Sequence, residues 1–136
     1  MPDFIYNRAS YHVANGNVDL DSHELKAMLL NSGYVPNAAH NRIADVAANE
    51  ISGTGYTAGG QTLTGVALTE SSGTTTLDAN DPQWPGASFT ARYMVVYDFT
   101  ANYLLVCFDF GSNKTVVAGT FTYEFNVLGF MRFTKT

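Results

Sequence analysis

Phe89-Thr-Ala-Arg-Tyr-Met-Val-Val-Tyr-Asp98 decides the fold class. In an extended chain side chains alternate with a period of two. Phe89, Ala91, Tyr93, Val95 and Tyr97 therefore fall on one face, and Thr90, Arg92, Met94, Val96 and Asp98 on the other. Apolar residues on both faces predict a central strand covered above and below. Downstream, Tyr103 to Phe110 reads as a second strand. The segment from Thr115 alternates again, with Phe121, Tyr123, Phe125 and Val127 against Thr120, Thr122, Glu124 and Asn126. Gly111-Ser-Asn-Lys114 reads as the turn between these two. Connections this short require antiparallel neighbours, because a parallel crossover takes about a dozen residues or more. The expected fold is mainly β: an antiparallel β-sandwich or small barrel, jelly-roll-like, with Phe130, Met131 and Phe133 tying the C-terminal end into a sheet.

Upstream, Asn80-Asp-Pro-Gln-Trp-Pro-Gly86 predicts a loop, because two prolines remove two ladder donors. Thr62 to Thr69 and Thr74 to Asp78 predict strands, and Ser71-Ser-Gly-Thr-Thr-Thr76 predicts a hairpin end with Gly73 at its tip. Before them lies Asn49 to Gly65, with five of the chain's twelve glycines and no lysine or arginine. So many glycines specify an unusual backbone path, read here as an extended arm or loop that feeds the β part.

The N-terminal third is mixed. Phe4 to Ala14 predicts a short helix stopped at Gly16, and Asn37 to Ala48 a second. From Val18 to Leu30 two patterns compete. Asp21 and Glu24 sit at capping-box spacing ahead of Leu25, Met28 and Leu29, whereas Leu25, Ala27 and Leu29 alternate as in a strand. The 136 residues make one domain, divided into a mixed part at 1–48, the arm at 49–65 and the antiparallel part at 62–136, with one or two short helices near the start.

Composition limits the function. Charged residues make up 14% of the chain and the net charge is −5, with seven scattered Lys and Arg, so a grip on nucleic-acid phosphates is not expected. No run of about eighteen apolar residues offers a membrane span, and no cationic segment followed by an apolar run opens the chain, so it is expected to stay in the cytosol unless it leaves as part of a larger assembly. The single cysteine, Cys107, allows no intrachain disulfide and reads as a buried hydrophobe in a strand.

Catalytic patterns fail on context. Gly53-Thr-Gly55-Tyr-Thr-Ala58 matches G-x-G-x-x-A, but no apolar strand precedes it and Gly59-Gly60 cannot open the helix that would receive a pyrophosphate. Asp19-x-Asp21 with Ser22, His23 and Glu24 lacks the glycine and terminal glutamate of a calcium loop, and His12, His23 and His40 lie too far apart for zinc spacing. Asp78, Asp81, Asp98 and Asp109 read as turn and strand-end residues, although a carboxylate pair among them would suit glycoside chemistry. No catalytic, cofactor or metal residue is assigned, and no enzyme, cofactor or small-molecule ligand is expected. Trp84 between two prolines reads either as a cap on the open end of the sandwich or as an anchor on a partner surface, and Tyr34 and Tyr56 in loops read as candidate interface contacts.

Lys26-Ala-Met-Leu-Leu30, Ser32-Gly-Tyr34-Val-Pro36, Asn49-Glu-Ile-Ser-Gly-Thr-Gly-Tyr-Thr-Ala-Gly-Gly60, Trp84-Pro-Gly-Ala-Ser-Phe-Thr-Ala-Arg92-Tyr and Asp109-Phe-Gly111 together resemble a family of small virion structural proteins of tailed bacteriophages, over nearly the whole chain. The resemblance implies a non-enzymatic assembly role in a virion put together in the bacterial cytoplasm. The leading form is a decoration, or cement, protein that binds the major capsid protein as a homotrimer; the alternative is a tail or tail-fibre component, or a receptor-binding adaptor. It also implies a strand at Lys26 to Leu30, where Glu24, Ala27 and Met28 depart from the family's β-branched pattern. On this reading the arm residues Asn49, Glu50, Ile51, Ser52, Gly53, Thr54, Gly55, Tyr56, Thr57, Gly59 and Gly60, with Trp84, contact another subunit or the capsid, or else the arm packs on its own sheet in a way that sets how that chain docks. Gly59 and Gly60 are then expected to matter more for docking than for folding.

Overall fold

The computed structural model describes residues 3–134. Phe4–Ile5 (β1), Leu25–Leu30 (β2), Gln61–Thr62 (β3), Gln83–Asp98 (β6) and Tyr103–Thr122 (β7) form one sheet in the order β1-β7-β6-β2-β3. Ala67–Ser71 (β4), Thr74–Asp78 (β5) and Met131–Thr134 (β8) form a second, in the order β4-β5-β8. Every pairing among these strands is antiparallel. The fold is mainly β and sandwich-like, with two sheets and no closed barrel. One helix, Ala9–Ala14 (α1), and two single 3-10 turns, Ile43–Asp45 and Ala47–Asn49, complete the described elements.

β6 is the middle strand, as its two apolar faces predict, and it pairs with β2 from Leu25↔Asp98 to Leu30↔Tyr93. One core lies between the sheets and gathers Leu77 and Met131 from one side with Trp84, Phe89, Met94, Val96, Leu105 and Phe108 from the other. A second core lies on the opposite face of the larger sheet. There Tyr6, Tyr34 and Val46 of the N-terminal third cover Met28, Tyr93, Val95, Tyr97, Leu104 and Cys107. Each fully buried aliphatic or aromatic side chain contributes about 1.5–3 kcal/mol. The mixed N-terminal part therefore covers a core on the larger sheet.

Two irregularities change the expected faces. Phe89 and Ala91 join the core between the sheets, but past Arg92 it is Met94 and Val96 that do so, while Tyr93, Val95 and Tyr97 turn to the second core. The reason is a slip in register. Ala91 pairs with Lys114 and Tyr93 with Asp109, so Phe110 to Asn113 bulge opposite Arg92, and an odd offset reverses the side-chain faces. Leu105 is a second extra residue, between the pairs Val96↔Val106 and Tyr97↔Leu104.

The same bulge corrects the expected turn at Gly111–Lys114. The chain does not reverse there; β7 runs on for 20 residues against the 16 of β6, and Gly111 takes the bend at φ 82°. The expected loop at 80–86 is also shortened. Gln83, Trp84, Pro85 and Gly86 lie within β6, and Pro85 is tolerated because the register breaks between Trp84 and Ala87, where its missing N–H is not needed. β7 ends at Thr122, so the alternation through Val127 does not continue as strand, and Val127 is 92% exposed.

Other expectations shift. Thr74–Asp78 and the Ser72-Gly73 hairpin tip stand as expected, whereas Thr62 to Thr69 divides into β3 and β4 around Gly65. Phe4 to Ala14 is helical only from Ala9, because Phe4 and Ile5 pair with Cys107 and Val106. Asn37 to Ala48 yields 3-10 turns and no α-helix. Leu25–Leu30 is a strand, as the resemblance implied. The capping-box spacing of Asp21 and Glu24 is fortuitous, since the Asp19 carboxylate accepts the N–H groups of Asp21 and Ser22 and closes a turn there.

Candidate interaction site

The arm leaves and rejoins the same strand. At its start Leu30 bridges Glu50, and the Ile51 N–H bonds to the Leu29 carbonyl. At its end Gln61 and Thr62 pair with Ala27 and Lys26. Between them the chain swings out to bridge Thr54 with Ser88 of β6. Residues 49–60 therefore pack on their own sheet.

Glu50 holds the excursion together. One carboxylate oxygen accepts both the Tyr56 hydroxyl and the Gly59 N–H, each at 2.6 Å. The Tyr56 hydroxyl in turn accepts the Leu29 N–H at 3.2 Å, and the Tyr97 hydroxyl donates to the Gly59 carbonyl. Burial, reinforced by the neighbouring Glu50 carboxylate, raises the Tyr56 pKa well above its ordinary value. Burial and the charges of Glu50 and Glu24 push Tyr97 up to about 12. Both phenols thus stay protonated donors across the neutral range. Ile51 is buried in the core between the sheets, and the Tyr56 ring meets Phe89 edge-on at 6.0 Å.

Gly53, Gly55 and Gly60 all approach backbone too closely for a Cβ, the last two most tightly. A Cβ on Gly60, at φ 90°, would stand 2.0 Å from the Ala27 carbonyl oxygen, and one on Gly55, at φ 81°, would stand 2.8 Å from Ala87 Cα. Gly59 has room, with its nearest neighbour at 3.7 Å. This corrects the expectation for the glycine pair: Gly60 serves the fold. Facing outward are Ser52, Gly53, Thr54, Gly55 and Thr57, while Asn49 and Glu50 are half-buried. The Asn49 amide donates to the Asn31 side chain.

The proposed aromatic anchors lie elsewhere. Trp84 is 2% exposed, inside the core between the sheets against Phe121 at 5.8 Å, and does not stand on a loop surface. Its position alternates inward once Gln83–Gly86 are strand. Its indole N–H has no acceptor among the described residues. Tyr34 is also buried, its hydroxyl bonded to those of Tyr6 and to His40 Nδ1. Tyr56 is half-buried at the base of the arm.

The titratable groups separate into clasps. His12 bonds to Asn41 and stacks on Tyr103 at 3.6 Å, and His23 Nδ1 lies 2.6 Å from the buried Asp98. Asp109 pairs with Arg92, Asp81 accepts the Phe125 N–H and Asp78 the Ala79 N–H. The four aspartates thus hold separate partners. Among the described residues no three of His, Cys, Asp and Glu converge as a metal requires. Burial pushes the Cys107 thiol up to about 12. Spacing in the sequence gave no sign of the Asp98–His23 pair, which joins positions 75 apart. Compared with protein-family models, characterised proteins and solved structures, the chain matches none.

Proposed function

We propose that the protein is a non-enzymatic structural component of a tailed-bacteriophage virion, a decoration protein that binds the major capsid protein on the head. The observation that carries this reading is the arm. Its backbone is pinned at Glu50, Thr54, Gly59 and Gly60, yet Ser52, Thr54 and Thr57 face outward. A surface ordered before contact loses little conformational entropy on docking, which suits a contact repeated many times over a shell. The outward residues carry no charge, so shape and hydrogen bonds, more than steering, govern that contact. The segments that resemble virion proteins most, Asn49–Gly60 and Trp84–Tyr93, meet at the Thr54–Ser88 bridge. The alternative, a tail component or receptor-binding adaptor, would contact its partner through Trp84 and exposed tyrosines, and the burial of Trp84 takes that ring away from both readings.

Heads stripped of this protein and then heated test the reading. The expected result is release of the genome at a lower temperature than from intact heads, restored by adding the protein back. Heads equally robust with and without it would overturn the cement role.

A further inference from the structure

The geometry points to β4 as a homotypic pairing edge, through which two copies of this chain join their smaller sheets into one. This inference goes beyond the capsid reading, because it concerns the isolated protein. β4 ends its sheet with its far edge unpaired among the described residues, and all five of its residues, Ala67-Leu-Thr-Glu-Ser71, are exposed. An open edge invites a strand unless something blocks it. The other edges are blocked. β1 and β3 are two residues long, β8 carries Arg132, and the free length of β7 carries Lys114 and bends at Gly111 and Ala118, at φ 82° and 48°. β4 has no lysine, arginine or proline, and its ladder with β5 runs unbroken from Ala67↔Asp78 to Ser71↔Thr74.

Its sequence also fits itself. Antiparallel pairing about a two-fold axis through Thr69 places Thr69 opposite the second copy's Thr69, Leu68 opposite Glu70 and Ala67 opposite Ser71. Threonines face each other on one side, a favourable cross-strand pair, and no like charges stand directly opposite. The Glu70 carboxylate is already occupied by the Gly73 N–H of its own hairpin, at 2.9 Å. Leu68 is 37% exposed and shares a face with Leu77, its ladder partner, so the two copies' Leu68 side chains become diagonal neighbours across the axis. Leu68 also lines a groove of about 540 Å³ with Val13, Val18, Leu20 and Phe133 at this same edge. The product is a six-stranded sheet, β8-β5-β4-β4-β5-β8, with the self-complementary contact of a two-fold pair. A pair replaces the trimer that the resemblance implies.

Sedimentation velocity on the purified protein over a range of concentrations tests the inference. The expected mass rises from 14.7 kDa toward twice that value as concentration increases. Thr69→Lys, an exposed change that opposes like charges on the axis, weakens association about tenfold. An equal mixture of Thr69→Lys and Thr69→Glu restores it, which a misfolded variant does not do. A mass of 14.7 kDa at every concentration, or an oligomer unchanged by Thr69→Lys, overturns the inference. Neither outcome bears on whether the protein binds capsids.

Discussion

At the scale of single residues, Glu50 governs the arm. Its carboxylate carries the Tyr56 hydroxyl and the Gly59 N–H, and hydrogen bonds to a charged acceptor are worth about 1.5–3 kcal/mol each. Glu50→Gln keeps the shape and removes the charge, and lowers stability by about 1–2 kcal/mol in denaturant unfolding, with faster amide exchange at Gly59. Unchanged exchange at Gly59 would contradict the role given to Glu50. The glycines at the arm's end separate by the same logic. Gly60→Ala drives a methyl into the Ala27 carbonyl and yields little soluble folded protein, whereas Gly59→Ala makes only ordinary van der Waals contact, with the Tyr97 hydroxyl at 3.7 Å, and costs about 1–2 kcal/mol of left-handed strain. Equal losses in the two variants, measured by thermal melting, would contradict this. The sequence announced an unusual path through these glycines. It could not say which of them touches backbone, because the contacts come from Ala27 and Ala87, 33 and 32 positions away in opposite directions.

At the scale of elements, β6 and β7 carry the fold, and their irregularities explain most of what the sequence hid. Alternation identified β5, most of β6 and the start of β7, since a period of two shows wherever a strand is regular, whereas at β2 it competed with a helical spacing and the strand came from the resemblance. It failed at Arg92 and Leu105, where extra residues reverse the faces without leaving a mark in composition. Pro85 and Gly111 mark turns in most chains; here they sit at register breaks, where a missing donor or a positive φ is tolerated. The misplacement of Trp84 on a surface followed from reading 80–86 as a loop, because a residue assigned to a loop has no assigned face. Deleting Leu105 would restore a regular register, with Leu104 still opposite Tyr97, but would remove the Leu105 side chain, fully buried in the core between the sheets. The expected loss exceeds about 3 kcal/mol in chemical unfolding. A deletion variant of near-native stability would show that the extra residue is accommodated freely.

At the scale of the whole molecule, two cores share one central sheet, and titration should loosen the structure at both ends of the pH range. The Arg42 and Asn41 N–H groups hold the Asp45 carboxyl below its ordinary value, so its contribution is present above the usual carboxylate range and is lost as pH falls through the lowered value. Burial raises Tyr97 and Tyr123 from 10.0 to about 12, so their contribution is intact below pH 10 and is lost as pH rises toward 12. Unfolding midpoints against pH should show both limbs, with Asp45→Asn flattening the acid one. A flat profile above pH 10 would contradict the burial of the phenols.

The proposed capsid role rests on a surface suited to repetition: an ordered arm whose outward residues carry no charge, packed on its own sheet. Its most direct test is the copy number of this protein in purified virions, from gel densitometry against the major capsid protein. The account predicts a number comparable to that of the capsid subunits; absence from the particle, or the handful of copies set by the closed symmetry of a tail, would contradict it.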